Sequence, residues 1–138
     1  MIALDTNVIA RFYVDDPLDA EAQRQRPLAK RVFEESNALY VPLTVVLELE
    51  WVLRAFYDFG ATDFVKVVKH LSGLPNVNVE SQTAVLAALH AHAKGLDFAD
   101  ALHLSASREC EALVTFDDRK FARRAKRLAL EPKVIALV

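Results

Sequence analysis

The sequence predicts an α/β fold, a three-layer α/β/α sandwich around a mostly parallel central sheet of four to five short strands. Short apolar runs alternate along the chain with longer segments in which apolar residues recur at helical spacing. Strands that alternate with helices need crossover connections, which favour a parallel sheet with helices on both faces. The 138 residues, 53% of them hydrophobic, are enough for one domain with its own core. Since no repeat or linker is evident, we predict a single domain over residues 1–138.

Five strands are predicted where a short apolar run is bounded by turn or polar residues. They cover residues 2–4, 39–41, 77–79, 113–115 and 134–138. The first is apolar at consecutive positions, which is typical of a strand covered on both faces, and the fourth is also predicted to be buried. Val77 and Val79 alternate with a polar residue, as in a half-buried strand.

Helices are predicted where apolar residues recur every three or four positions. They cover residues 8–12, 18–35, 45–59, 81–95, 97–110 and 119–128, together with a helix capped by Thr62. Asp16 and Pro17 are typical of an N-cap followed by proline at the first helical position. Pro27 predicts a kink or two shorter helices, and Gly60 is expected to stop the helix that starts at residue 45.

Composition and charge restrict the class of protein. The net charge of −2 does not by itself indicate a nucleic-acid partner, although local charge decides electrostatic steering. The sole cysteine, Cys110, excludes an internal disulfide framework and a cysteine-rich zinc site. Glu48 and Glu50 interrupt the longest apolar stretch, so we expect no membrane span. With no export signal evident, we expect a cytoplasmic protein.

Two aspartates directly follow predicted strands. Asp5 ends the first strand, and Asp117 follows the fourth. The commoner role of an aspartate at such a junction is to cap the next helix, and Asp118 could take that role in place of Asp117. However, ligands of open α/β sheets bind outside the carboxyl ends of the strands. Two acidic residues at the carboxyl ends of strands therefore indicate a ligand-binding site.

Glu48 lies inside a helix rather than at its end. At 100° per residue, Glu48 falls about 40° outside the Val52 edge of an apolar arc formed by Val45, Leu49, Val52, Leu53 and Phe56. Glu50 is expected to point to the far side. A carboxylate at a core margin needs a cation, a proton or hydrogen-bond donors, whereas a snorkelling surface glutamate is the alternative.

Asp100 is the fourth candidate. Asp97 is the natural N-cap of its helix, which leaves Asp100 without a capping role. Its neighbours Ala101 and Leu104 are expected to face the core, so Asp100 should lie along the rim of the sheet. We interpret Asp100 as a functional residue.

A cluster of these carboxylates would be stable only if protonated or neutralised. Mg²⁺ prefers oxygen ligands, takes one or two carboxylates and keeps several waters and substrate phosphate oxygens. No histidine or cysteine accompanies the acids at ligand spacing, which disfavours zinc. Thr6, Asn7 and Thr115 are neutral neighbours of the acids, suited to orienting them by hydrogen bonds.

Four blocks of sequence occur in a familiar order: residues 4–8 (LDTNV), 42–54 (PLTVVLELEWVLR), 98–102 (FADAL) and 114–117 (VTFD). With them the chain resembles PIN-domain proteins, specifically the VapC-like toxin ribonuclease of a type II toxin–antitoxin pair. The resemblance spans essentially the whole chain. It implies an α/β/α sandwich, endonucleolytic cleavage of RNA that depends on Mg²⁺ or Mn²⁺, a homodimer and a small antitoxin partner.

Carried over position by position, the resemblance implies that Asp5, Glu48, Asp100 and Asp117 form the family's acidic quartet, with both catalytic and metal-binding roles. Asp118 is a helper in this interpretation. Asp5 and Asp100 would bind the cation directly or through water, and Asp117 would complete the site. Glu48 would bind a second ion or accept a proton from water, and the number of ions stays open.

A basic run follows the last acids. It contains six cations and no acid: Arg119, Lys120, Arg123, Arg124, Lys126 and Arg127. Phe121, Ala125 and Leu128 are expected to form the buried stripe of this helix and to leave the cations outward. A solvated helix face is the common interpretation of such a run. Its position beside Asp117 favours contact with RNA phosphates, for which Arg119, Lys120, Arg123 and Arg124 are the candidates.

Other functions fit less well. A receiver-type signalling domain would want a paired acid after the first strand and a lysine after the fifth, and a haloacid-dehalogenase-type phosphatase would want an aspartate at position 7, where Asn7 stands. The three glycines form no phosphate-binding loop, which excludes a dinucleotide enzyme. The remaining alternative is a catalytically silent PIN-type module that binds RNA or a partner.

Overall fold

A computed structural model describes residues 1–137; Val138, predicted as the last residue of the fifth strand, lies outside the described residues. The predicted α/β class is confirmed, because five short strands alternate with helices and pair in parallel. Within residues 1–137, no helix is both long and apolar enough to cross a membrane. The chain divides into two compact units, Met1–Glu80 and a unit that begins at Ser81. Three strands form one sheet and two form another, where a single sheet was predicted.

The first unit contains a three-stranded parallel sheet and four helices. Its strands are β1 (Ile2–Ala3), β2 (Leu39–Val41) and β3 (Val77–Val79). Its helices are α1 (Thr6–Tyr13), α2 (Ala20–Glu35), α3 (Leu43–Tyr57) and α4 (Ala61–Gly73). The strand order is β1-β2-β3, so β1 lies at an edge of this sheet. The prediction of a buried first strand is therefore wrong for Ile2, which is 56% exposed.

The inner face of α3 follows the predicted apolar arc over most of its length. Val45, Leu49 and Leu53 are buried, as are the strand residues Leu39 and Val41. Phe56, in the last turn of α3, was predicted to be part of this arc but is 67% exposed. Its ring packs edge-on against that of Trp51, with ring centroids 5.5 Å apart.

Helix ends in the first unit differ from the prediction where a side chain forms a cap. Asp19, rather than Asp16, caps α2, because its Oδ1 accepts hydrogen bonds from the backbone N–H groups of Glu21 and Ala22 at 2.9 and 3.1 Å. Helix α2 continues through Pro27 instead of dividing there. Burial of Ala22 before the proline and of Phe33 after it favours a single helix on one packed face.

The turn between α3 and α4 also differs from the prediction. Asp58, with φ 57°, takes the left-handed position at the end of α3 that was expected of a glycine. Gly60 instead precedes α4, and its N–H donates to Asp63 Oδ2 at 2.9 Å. Helix α4 therefore begins before Thr62, which was predicted to cap it.

The second unit contains three α-helices, a π-helical turn and two parallel strands. Its elements are α5 (Gln82–Ala93), α6 (Phe98–Ala106), β4 (Ala112–Thr115), the π-helical turn (Asp118–Ala122), α7 (Arg123–Arg127) and β5 (Lys133–Ala136). Leu113 lies opposite Val134 in the β4–β5 pair. The prediction that this fourth strand is buried is wrong, because Val114 is 60% exposed at its centre. The predicted basic helix exists, but its first turn is π-helical.

Candidate active site: two clusters of carboxylates

Asp5 lies where β1 ends and α1 begins. Its Oδ1 accepts a hydrogen bond from the backbone N–H of Thr6 at 2.8 Å, so the residue does cap α1. The carboxylate is exposed. The second oxygen, Oδ2, has no hydrogen-bond partner among the described residues. Capping and ligand binding are thus compatible, because they use different oxygens of the same group.

Glu48 projects from α3 and is tied to the start of α1. The hydroxyl of Thr6 donates to Glu48 Oε1 at 2.5 Å. Thr6 is buried, at 4% exposure, whereas Glu48 is exposed. A buried donor therefore fixes the direction of an exposed carboxylate. The sequence leaves a cation, a proton, hydrogen-bond donors or a surface position open for Glu48; in the structure Glu48 is exposed and accepts a hydrogen bond from Thr6.

These residues line one cleft of the first unit, with a volume of about 460 Å³. Four acids contribute to it: Asp5, Asp16, Asp19 and Glu48. Asn7 lines the same cleft, as does one cation, Arg11. The sequence predicts a capping role for Asp16 and no role for Asp19 or Arg11. The cleft is consequently more acidic than the sequence predicts.

Glu50, two residues after Glu48, has a different environment. It was expected to point to the far side of the helix, but it is buried, at 8% exposure. Arg54 Nε donates to Glu50 Oε1 at 2.9 Å, one helical turn away. The burial is possible because this ion pair compensates the charge. Helix α3 therefore presents one glutamate to the cleft and holds the other in a structural contact.

In the second unit, Asp97 and Asp100 lie at the start of α6. Asp97 is the N-cap, as predicted, and accepts a hydrogen bond from the N–H of Asp100 at 3.2 Å. Asp100 is half-buried. Burial raises the pKa of the Asp100 carboxyl, and the Asp97 and Asp117 carboxylates raise that pKa further, against the opposite effect of His103 and Arg124. The structure thus brings Asp100 within electrostatic reach of Asp117.

Asp117 follows β4 and caps the π-helical turn. Its Oδ1 accepts from the backbone N–H of Lys120 at 2.9 Å, and its own N–H donates to Thr115 Oγ1 at 3.0 Å. Thr115 therefore contacts the backbone of Asp117 as an acceptor, whereas it was predicted to orient the carboxylate. Asp118 is paired with Arg123, with 3.3 Å between Oδ2 and Nη2. A π-helical turn often marks a functional site.

Comparison with protein families matches residues 2–127 to the PIN domain. The chain belongs to the PIN domain family. Nuclease-type chemistry on nucleic acids and the use of divalent cations are general properties of PIN domains. The alternation of helices with parallel strands agrees with a PIN-like α/β/α fold. A search of curated proteins finds no match to the chain.

The donor chemistry of this PIN domain fits a hard divalent cation. The acids of each unit offer carboxylate oxygens alone, and burial together with the nearby Asp97 and Asp117 carboxylates raises the pKa of Asp100. Within residues 1–137, no three His, Cys, Asp or Glu side chains converge in a group that could hold a metal ion. Mg²⁺ needs only one or two carboxylates, since it keeps several waters.

The four basic residues predicted to contact RNA differ in whether they bond to other residues of the protein. Arg119 and Lys120 are exposed in the π-helical turn, whereas Arg123 pairs with Asp118 and Arg124 Nη1 donates to the carbonyl of Gly95 at 3.3 Å. Phe121 and Ala125 are buried, as predicted for the inner stripe.

Proposed function

We propose that this PIN domain is a metal-dependent ribonuclease that hydrolyses RNA phosphodiester bonds endonucleolytically, and that it is the VapC-like toxin of a type II toxin–antitoxin pair. The observation that carries the proposal is the contact between Thr6 and Glu48 beside Asp5. It gives a PIN-family chain two exposed carboxylates in one cleft, one of which is held by a buried hydroxyl. The family match covers residues from both units, which supports one PIN domain over residues 1–138.

The proposed carboxylates are those of the acidic quartet, Asp5, Glu48, Asp100 and Asp117, which would supply ligands for Mg²⁺ or Mn²⁺. Such a cation, when bound, polarises the phosphate, stabilises the charge that develops on it and lowers the pKa of water. Thr6 orients Glu48, and Asn7 lines the same cleft. Thr115 holds the backbone of Asp117. Asp118 keeps Arg123 in place beside the acids of the second unit.

Glu48 is also the best-placed base of the first unit. One of its oxygens, Oε1, is engaged by Thr6, so the other can accept a proton from an attacking water or bind a second cation. Burial raises the pKa of the Asp100 carboxyl, so this carboxyl holds a proton more readily than that of an ordinary aspartate. These roles agree with those that the family resemblance implies.

Binding of RNA is supported by cations in the second unit. Arg119 and Lys120 follow the Asp117 cap directly and are exposed. Arg123, Lys126 and Lys133 line a cleft of about 740 Å³, in which three cations outnumber the two acids, Asp118 and Glu131. A surface with several cations next to the acids offsets the repulsion between the acids and the RNA backbone. Arg124 donates a hydrogen bond to the carbonyl of Gly95, so its positive charge is held in a fixed position.

A homodimer and a small antitoxin are the proposed partners, in the cytoplasm. Trp51 and Phe56 form an exposed aromatic pair on α3, with exposures of 52% and 67%. Exposed aromatic side chains of this size are typical of contact surfaces between proteins.

The test is cleavage of RNA by the purified protein in Mg²⁺ or Mn²⁺. Glu48→Gln should lower the rate at least about 100-fold, by analogy with the loss of a general base. Glu34→Gln is the matched control, because Glu34 is also an exposed glutamate of the first unit but lies outside the cleft. Equal rates for the two variants would contradict the proposal.

The second candidate is a catalytically silent module that binds RNA or a partner. It is favoured by the lack, in the described part of the chain, of three converging metal ligands. Binding of RNA without cleavage in Mg²⁺ and in Mn²⁺ would select this alternative.

A further inference from the structure

Arg11 is the only cation among the described residues that line the acidic cleft of the first unit. It lies on α1, six residues after Asp5, and its side chain is half-buried. It follows Asn7 by four residues, so the two side chains share one face of the helix. Both line the cleft that contains Asp5 and Glu48.

The guanidinium of Arg11 is held by two neutral groups from two other helices. Its Nε donates to Gln25 Oε1 at 2.9 Å, and its Nη1 donates to the hydroxyl of Tyr57 at 2.8 Å. The amide of Gln25 is itself oriented, because its Nε2 donates to Glu21 Oε1 at 3.2 Å. Contacts from α1, α2 and α3 therefore fix the position of the cation.

The charge of Arg11 is not compensated by an ion pair in the described chain. Four other arginines of the structure, Arg24, Arg26, Arg54 and Arg123, lie within 4.0 Å of a carboxylate oxygen. Arg11 does not, although four acids line its cleft. Its Nη2 has no hydrogen-bond partner among residues 1–137. A pre-organised guanidinium with a free nitrogen is suited to an anion that enters from outside.

We propose that Arg11 binds a phosphate of the RNA backbone next to the bond that is cleaved, and so positions the strand in the acidic cleft. The inference rests on the proposed ribonuclease function. The hydroxyl of Tyr57 accepts from Arg11 and keeps its own proton, which it donates to the same phosphate. Arg11 thereby supplies the attraction that a cleft with four acids otherwise lacks.

The surroundings of Arg11 leave room for the rest of a nucleotide. Arg11 also lines a second cleft of about 240 Å³, together with Asn7 and Gln25. The remaining lining is apolar and includes Val8, Ala29 and Val32. A phosphate bound by Arg11 is thus next to an acidic cleft and to an apolar cleft that can take a sugar or base.

The experiment measures the binding of a short RNA oligonucleotide in excess chelator, where cleavage does not interfere, and repeats it at several salt concentrations. Arg11→Gln should weaken binding about 10-fold or more, as expected for a charge-assisted contact. It should also reduce the slope of log K against log salt by about one, as for the loss of one phosphate contact. Arg31→Gln, which changes an exposed arginine of α2 outside both clefts, should leave affinity and slope unchanged.

Two further variants separate binding from folding. Arg11→Lys keeps the charge and should keep the salt slope while it recovers only part of the affinity, because a lysine lacks the planar fork. Tyr57→Phe keeps Arg11 but removes the hydroxyl that holds its guanidinium and that would donate to the phosphate, so it should weaken RNA binding. Thermal melts establish that each variant is folded. Equal affinity and equal salt slope for Arg11→Gln and the wild-type protein would overturn the inference.

Cleavage in Mg²⁺ distinguishes this inference from the proposed function. If the wild-type protein cleaves RNA and Arg11→Gln cleaves it with the same KM, Arg11 does not position the substrate and the inference fails. If the wild-type protein does not cleave but its RNA binding depends on Arg11, the ribonuclease proposal fails and the phosphate contact stands.

Discussion

The hydroxyl of Thr6 lies 2.5 Å from Oε1 of Glu48 and joins the first turn of α1 to α3 across 42 positions of sequence. Thr6 is buried, so its hydroxyl has no water with which to exchange this bond. The same residue donates its backbone N–H to Asp5. One threonine therefore positions both carboxylates that we place in the active site of the first unit.

Replacement of Thr6 by valine should uncouple Glu48 from the cleft. Valine has nearly the same shape but no hydroxyl, so Glu48 would turn freely in solvent. We expect RNA cleavage to fall about 10- to 100-fold, the usual effect of removing a group that orients a metal ligand. The free energy of unfolding should fall by only about 1 kcal/mol, measured by urea denaturation. Thr6→Ser keeps the hydroxyl and should remain active; a valine variant as active as the serine variant would contradict the role of Thr6.

Replacement of Glu50 by glutamine should affect stability rather than catalysis. It removes the acid that pairs with Arg54, which is itself 57% exposed and can be hydrated. We expect a loss of about 1 kcal/mol in the free energy of unfolding, because an exposed partner limits the gain from the pair. The cleavage rate of the folded variant should stay within about twofold of the wild-type rate by the same reasoning. A large loss of cleavage with unchanged stability would show that Glu50 belongs to the site.

Asp100 should make the stability of the protein depend on pH. Its pKa in the folded state is raised by burial and by Asp97 and Asp117. The folded state therefore holds a proton that the unfolded state has already lost, so stability falls as the pH rises above about 4, the ordinary pKa range of an aspartate. Asp100→Asn carries no such proton and should lose less stability over the same rise in pH. Urea denaturation from pH 3 to 7, without divalent cations, measures the difference between the two curves. Parallel curves would contradict the prediction.

The sequence predicts the helix caps and the α/β class well, because both depend on residues that are close together in the chain. Asp5, Asp97 and Asp117 each cap the helix or turn that follows, and their capping bonds reach residues one to three positions away. Such short-range contacts follow from residue type and position alone. The alternation of apolar runs with helical periodicity likewise predicts the α/β class, because both signals are local.

Contacts between distant positions explain what the sequence does not predict. Arg11 is held by residues 14 and 46 positions away, and neither partner carries a charge that would attract notice. Helical periodicity gives the angle between Glu48 and Glu50 but not which residues pack against each side of α3. It therefore does not predict the burial of Glu50. The π-helical turn at Asp118–Ala122 differs from an α-helix in its backbone hydrogen bonds. The spacing of apolar residues does not reveal this difference, so the sequence predicts a regular helix there.

The most direct measurement is cleavage of total RNA by the wild-type protein and by Asp5→Asn, in Mg²⁺, in Mn²⁺ and in excess chelator. Circular dichroism establishes that the variant keeps its fold. We predict that the wild-type protein cleaves RNA in Mg²⁺ or Mn²⁺ but not in chelator. We predict no cleavage by Asp5→Asn in any condition, since the variant lacks the Asp5 carboxylate, which lines the cleft. Cleavage by the wild-type protein in chelator, or undiminished cleavage by Asp5→Asn in Mg²⁺, would contradict a carboxylate-dependent, metal-dependent ribonuclease.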